Sequence, residues 1–385
     1  MWRASAKQRA ETQKTRRHLW YMKRTCLATL FSDDAKLQAE AVRDGAKRAK
    51  QVQEEALKGL VVGSVQEALK AVTVKGPCNE EKRLCKAAKK LCREGLLVIR
   101  GPKPMADFQE IVRSCVDLEM RVCKRLTFLG IKFSDFDRMS KSERSESERL
   151  QSFRFKEVSS RCLGRLDMKL PNLRHLDDSA CPWYPVVRAV LGQECILSYA
   201  GLISSFPSSW NQPWHGDGPH LFGNDLQLPP HALNVFIALQ DVTEELGPTE
   251  FFPRSNQLEA AERLSSCLAN FTSPTQATTV HAADKCRAIG HVPIKPLLST
   301  TDSLIYDYRT VHRGTSNCSS KTVRRVLYLL YTKPWFSEGK VNFGETSLFD
   351  SDNACLAALA EQKREASEGS YGDFDVGHCH FDTMR

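Results

Sequence analysis

No uninterrupted apolar stretch in this 385-residue chain reaches the about 18 residues that a membrane-spanning helix needs, so no such helix is expected. None of the 14 cysteines falls in a CxxC pair. A chain this long needs no disulfide staples, and buried free thiols in a reducing compartment fit the scattered spacing better. A glycine-rich phosphate loop is missing: "RGPKP" lacks the strand–loop–helix setting. There is no Ser/His/Asp signature and no repeat of fixed period. Acid is scarce at the start, where residues 1–31 hold Glu11 alone against eight Lys or Arg. That segment also lacks the apolar core of a secretory signal, which argues against export. An intracellular, cytoplasmic location is expected, with organelle import through the basic N-terminus as the alternative. A disordered basic tail accounts for the charge as well, and nucleic acid is not an expected partner.

The composition is 41% hydrophobic and 26% charged, with formal net charge +9, as in a soluble globular protein. Residues 33–94 are rich in Ala, Lys, Glu and Gln, and predict helix, with a start at Asn79 and a stop at Gly95. "LLVIRG" (96–101) predicts a strand. After Pro104 an amphipathic helix carries Phe108, Ile111, Val112, Cys115 and Leu118 on one face. Residues 133–160 are polar and predict a loop or short helix. From residue 183 the texture changes to short β-prone runs with Gly/Pro turns: "CILSYAGLISSF", "ALNVFIALQDV" ending at Asp241, "TEELGPTEFFPRSN", "DSLIYDYRTVHRG" and "RRVLYLLYTKPWF". These predict a β-sandwich or barrel, interrupted by a helix and polar loop at 257–290.

Within that half lies "WHGDG". On a strand, His215 and Asp217 would face one side, with Gly216 and Gly218 leaving room. An imidazole and a carboxylate aimed at one point suggest a metal ion, an acid/base pair or coincidence. A metal needs a third ligand, and His312 in "YDYRTVHRG" is the candidate. A His-x-Asp pair with a distant His is the set that holds Fe(II) on one face and leaves positions open. Arg324 follows twelve residues after His312 and is able to reach the same interior. A buried guanidinium there wants a carboxylate partner, such as a dicarboxylate co-substrate. "HCH" at 378–380 sits in a Gly- and Asp-rich tail and reads as a solvated terminus.

Four ordered segments, "NQPWHGDG", "LNVFIALQDVTEELGPTEFFPRSN", "DSLIYDYRTVHRGTSNCS" and "RRVLYLLYTKPWF", together resemble the phytanoyl-CoA dioxygenase family of Fe(II)/2-oxoglutarate oxygenases, over about residues 94–340. The resemblance implies an α+β fold: a double-stranded β-helix, or jelly roll, with flanking helices. It implies His215, Asp217 and His312 as catalytic iron ligands, and Arg324 as the grip on the distal carboxylate of 2-oxoglutarate. The implied partners are 2-oxoglutarate, O₂ and a small-molecule or lipid-like substrate, which is hydroxylated at carbon with release of succinate and CO₂. The retained Asp217 favours hydroxylation over halogenation. Two departures stand out. Asn256 occupies a place where relatives often carry His, and the His-to-Arg interval is one residue longer than usual. Either Arg324 or Arg325 therefore fits, with Arg324 preferred because "VLY" keeps the family register. Gln212, Asn234 and Thr249 are candidate pocket residues. The expected organisation is a basic helical extension (1–93), the oxygenase domain (94–345) and a C-terminal tail (346–385). The competing readings are a non-catalytic jelly-roll scaffold and a cupin-type dioxygenase that does not use 2-oxoglutarate.

Overall fold

The computed structural model describes residues 65–367, apart from 77, 79, 102–107, 132, 134–152, 161, 163, 171–180, 222–226, 269–291 and 338–342. The basic arm, most of the 33–94 helical prediction, Asn79, the loop of the 257–290 insertion and the HCH cluster lie outside these residues.

Alternation along the strands builds the molecule. In β7 (Ala232–Ala238) every residue is buried, so the strand reads as a continuous apolar run. Its odd positions, Leu233, Val235 and Ile237, join one core, while Phe236 and Ala238 join another. The same split holds in β9 (Ser303–Asp307) and β11 (Arg324–Thr332): Ile305, Leu327 and Leu329 face the first core, and Leu304, Tyr306 and Val326 the second. Helices fill the first core. These are α2 (Glu81–Glu94) with Ala87 and Leu91, α3 (Phe108–Phe128) with Ile111, Cys115, Leu118, Val122 and Leu126, and α4 (Tyr184–Leu191) with Val186 and Val187. The second core is the interior between two sheets.

The large sheet has nine strands in the order β1-β2-β9-β7-β11-β6-β5-β4-β3. The remaining members are β1 (Thr73–Lys75), β2 (Leu96–Arg100), β3 (Phe153–Arg154), β4 (Val158–Ser160), β5 (Arg165–Lys169) and β6 (Ile196–Ser205). Neighbours are antiparallel except β1 and β2. Opposite it, β8 (Thr249–Phe251) pairs with β10 (His312–Gly314). Single bridges extend this small sheet on both sides, Ile294 to Phe251 and His215 to His312. The two facing sheets make the jelly roll, with α5 (Leu258–Leu268) following β8.

Several expectations are corrected. Residues 73–75 form a strand, not helix, because β-branched Thr73 and Val74 pair with Val98 and Ile99 of β2, a partner far along the chain. The polar 133–160 stretch ends in β3 and β4; these strands are too short to show a period, and buried Phe153, Phe155 and Val158 anchor them. The strand expected to reach Asp241 stops at Ala238. The helix stop at Gly95 is as expected: φ is 79° and its N–H bonds the Leu91 carbonyl.

The packed unit also reaches outside 94–345. A first helix, α1 (Val65–Val72), puts Ala68 and Val72 into the interior core. A last one, α6 (Asp352–Ser367), buries Cys355, and its Asp352 pairs with Arg125 at 2.7 Å. The ten described cysteines are free, and burial pushes Cys92 up to about 11 and Cys115 up to about 12, as inert thiols. Cys85 and Cys318, by contrast, are exposed. Among the described residues no helix is long and apolar enough to cross a membrane.

The turn between β7 and β8 depends on Gly247. Its φ is +75°, and a β-carbon would meet the backbone carbonyls of Ser316 and Thr315. Gly247→Ala therefore combines left-handed strain with a clash that no side chain can relieve. It is expected to cost about 1–3 kcal/mol, a fall of roughly 5 °C in melting temperature by calorimetry. An unchanged melting temperature would show that this turn relaxes freely.

Candidate metal centre

The small sheet places the two histidines side by side. His215 N–H donates to the His312 carbonyl at 2.9 Å, and His312 N–H returns the bond at 2.7 Å. Their rings lie 4.4 Å apart between centroids. Both rings are oriented from behind: His215 Nδ1 lies 2.8 Å from the Pro213 carbonyl, and His312 Nδ1 lies 2.9 Å from that of Thr310. A carbonyl only accepts, so each Nδ1 carries the proton and each Nε2 is the nitrogen with the lone pair.

Asp217 does not continue this strand, as the i, i+2 reading supposed. It sits in a bend after the single bridge at His215. Its flanking glycines let the bend lie flat on the segment before His312. Gly218 N–H bonds the Tyr308 carbonyl at 3.1 Å, and a β-carbon on Gly218 would strike the Tyr308 ring. The carboxylate thereby reaches the imidazoles, with Oδ2 3.8 Å from His312 Nε2. One ligand atom from each of His215, Asp217 and His312 falls within 4.8 Å of the others. Two lone-pair imidazoles and one carboxylate, gathered at the side of a cleft, match the donor set that holds a ferrous ion with open positions.

The cleft is lined by polar groups and by Phe236, Tyr306, Tyr308 and Tyr328. Gln212 and Thr249 border it as expected, while Asn234 instead bonds Asp217. Arg324 and Arg325 part company by strand alternation. Arg325 turns outward to the helix layer, where it grips Glu119 of α3 with a closest approach of 2.6 Å. Arg324 turns inward and lines the cleft, fully buried. Its Nη2 donates to Ser205 Oγ at 2.9 Å and its Nη1 to the Gly247 carbonyl, while Nε has no partner among the described residues.

Sequence reasoning missed a second cation. Arg165 opens β5 and sits opposite Ser205 of β6, whose other neighbour in the sheet is Arg324 of β11. Arg165 Nη1 donates to the same Ser205 Oγ at 2.8 Å, and its Nε is likewise buried without a partner. Among the described residues neither guanidinium meets a carboxylate. Burial pulls both below the ordinary arginine range, and the charge of Arg165 pulls Arg324 further. Two like charges held on one hydroxyl repel each other. This end of the cleft is built for an anion. The available signal was the alternation "RLDMK", in which Arg165 and Asp167 share the inward face.

Residues 91–326 match the family described as phytanoyl-CoA dioxygenase (PhyH). The chain belongs to this family. The phytanoyl-CoA dioxygenase region thus covers the jelly roll from the end of α2 to the start of β11, and its fold is that of the 2-oxoglutarate-dependent oxygenases. Solved structures with a similar course include AviO1 from Streptomyces viridochromogenes Tue57, at 17% identity and TM-score 0.38, covering 66% of this chain and 97% of that one. The carbocyclase SnoK from nogalamycin biosynthesis, described as non-heme and alpha ketoglutarate dependent, has 16% identity and TM-score 0.40, with 66% and 85% covered. EctD from S. alaskensis, solved with 2-oxoglutarate and 5-hydroxyectoine, has 14% identity and TM-score 0.38, with 68% and 80% covered.

Behind the centre, Asp307 and Arg309 form a buried pair at 2.7 Å. Burial raises the Asp307 carboxyl, but Arg309 outweighs it and leaves the group below its usual range. Asn256, the departure at the place where relatives often carry His, is fully buried and donates to the Cys92 carbonyl and to Asp307. It is structural mortar between α2 and β9.

His231 and His220 lie near the same pair, with all four ring nitrogens buried and unpartnered among the described residues. Burial, then Arg309, lowers His231 to about 3 and His220 to about 4. Nearby Lys333 pushes His231 the same way, while Asp307 opposes on both. The unfolded chain takes up these protons near pH 6.5, before the folded one does. Stability is therefore full above that pH and lost as pH falls toward 4 and 3. Each histidine contributes a loss of about 1.4 kcal/mol per pH unit over its window. Melting temperature should fall from pH 6.5 to 4.5, and His231→Phe should flatten that limb. A wild-type melting temperature constant over this range would refute the reading.

Proposed function

We propose that this chain is an Fe(II)- and 2-oxoglutarate-dependent dioxygenase that hydroxylates a small-molecule or lipid-like substrate at carbon, releasing succinate and CO₂. One observation carries the reading: an imidazole–carboxylate–imidazole set within 4.8 Å faces the same cleft as two buried guanidiniums that meet no carboxylate among the described residues. Bound in this set, the ferrous ion supplies O₂ activation coupled to 2-oxoglutarate decarboxylation, chemistry that no side chain provides.

The residues do the rest. His215 and His312 present Nε2 because backbone carbonyls hold their Nδ1 protons. Asp217 adds the negative charge. Arg324 and Arg165 take the distal carboxylate of 2-oxoglutarate, which relieves their mutual repulsion. The aromatic wall of Phe236, Tyr306 and Tyr328 keeps bulk water from the reacting carbon. The test is succinate release by the purified protein with Fe(II), 2-oxoglutarate and O₂ over a substrate library, beside 2-oxoglutarate-dependent thermal stabilisation. Succinate that requires both iron and 2-oxoglutarate is expected. Absence of stabilisation and of any iron-dependent succinate would overturn the proposal.

A further inference from the structure

Asp217 stands on a bend, outside any strand, yet it must meet two imidazoles fixed in a sheet. The large sheet supplies what the bend lacks. Asn234 of β7 and Tyr306 of β9 are direct cross-strand partners. Both are buried, at 0% and 1% exposure. Asn234 Nδ2 donates to Asp217 Oδ2 at 2.6 Å, and the Tyr306 hydroxyl donates to the same oxygen at 3.1 Å. A carboxylate oxygen only accepts, so both protons point at Asp217.

The chemistry of Asn234 shows that folding alone does not account for it. The neighbouring inward residues of β7, Phe236 and Ala238, are apolar. Among the described residues the Asn234 carbonyl oxygen is buried without a partner, which is a penalty to the fold. Turning the amide over would set that oxygen against the carboxylate. The orphan persists because the N–H is committed to Asp217.

We propose that Asn234 and Tyr306 are positioning residues that lock the Asp217 carboxylate against the large sheet and thereby set the divalent-metal affinity of the triad. This rests on the reading of His215, Asp217 and His312 as metal ligands. Partners of this kind behind a ligand are worth about 10–100-fold in metal affinity.

The experiment uses the full-length, metal-free protein titrated with Co(II), with the visible absorption of the bound ion as readout. Tyr306→Phe removes one oxygen only, and Asn234→Leu keeps the volume. Each should weaken Co(II) binding by about 10–100-fold. The double variant should lose less than the product, since both donors serve one oxygen. The metal-free melting temperature of Asn234→Leu should not fall, because an orphaned carbonyl is removed. A merely structural role predicts the opposite: lower metal-free stability with unchanged affinity. Equal affinity in folded variants overturns the inference while leaving the metal reading intact. Failure of the wild type to bind Co(II) overturns both. If Asn234→Leu does not fold, the isosteric Tyr306→Phe decides.

Discussion

His215→Ala is expected to abolish iron-dependent succinate formation, by more than about 100-fold, while the protein still folds. The magnitude follows from comparison: groups that only orient a ligand are worth about 10–100-fold, and a ligand itself must be worth more. The fold tolerates the change because His215 is only half-buried. The backbone pair with His312, which carries the small sheet, needs no side chain at position 215. Metal content and succinate release, measured on the same preparation, check this. Turnover that survives in a folded His215→Ala would remove the metal assignment altogether.

The second large effect is a crossed pair at adjacent positions. Arg324→Met should raise the KM for 2-oxoglutarate by roughly 100-fold, in line with the 2–5 kcal/mol of a buried charge pair that loses one partner. The same variant should leave the ligand-free melting temperature unchanged or higher, since a buried charge with no counter-ion gives way to an apolar chain of similar size. Arg325→Met should do the reverse. It strands the buried Glu119 with Ser204 as its remaining donor, at about 3 kcal/mol of stability. Its KM for 2-oxoglutarate should stay within about threefold, a difference worth under 1 kcal/mol. Steady-state kinetics and thermal denaturation on both variants decide the outcome. A KM effect confined to Arg325→Met would reverse the assignment.

Both effects turn on which way a strand residue points, and the chain's pattern stated this only in part. "RRVLYLLY" says that one arginine faces inward and the other outward, but not which. Leu327 and Leu329 under the helices, and Val326 in the interior, make the choice. Arg165 escaped notice because its strand carries a Lys and an Asp among apolar residues, and its meaning comes from Ser205, 40 residues later. The helix stop at Gly95 was readable because it is local: a left-handed residue closes the helix that precedes it. Strands β1, β3 and β4 were not, because at two or three residues they exist through pairing and carry no period of their own.

By itself the order of residues determined the chemistry on offer: two histidines and a carboxylate with an arginine downstream, set among short β-prone runs, in a family pattern that names iron and 2-oxoglutarate. Only the tertiary structure decided how those groups are held. It brought His215 beside His312, folded Asp217 back through its glycine-flanked bend, placed Asn234 and Tyr306 behind it, and set Arg165 next to Arg324. The reason is physical. Which atoms a side chain offers is a property of the residue, whereas hydrogen-bond partners and burial come from strands distant in the chain and adjacent in the sheet.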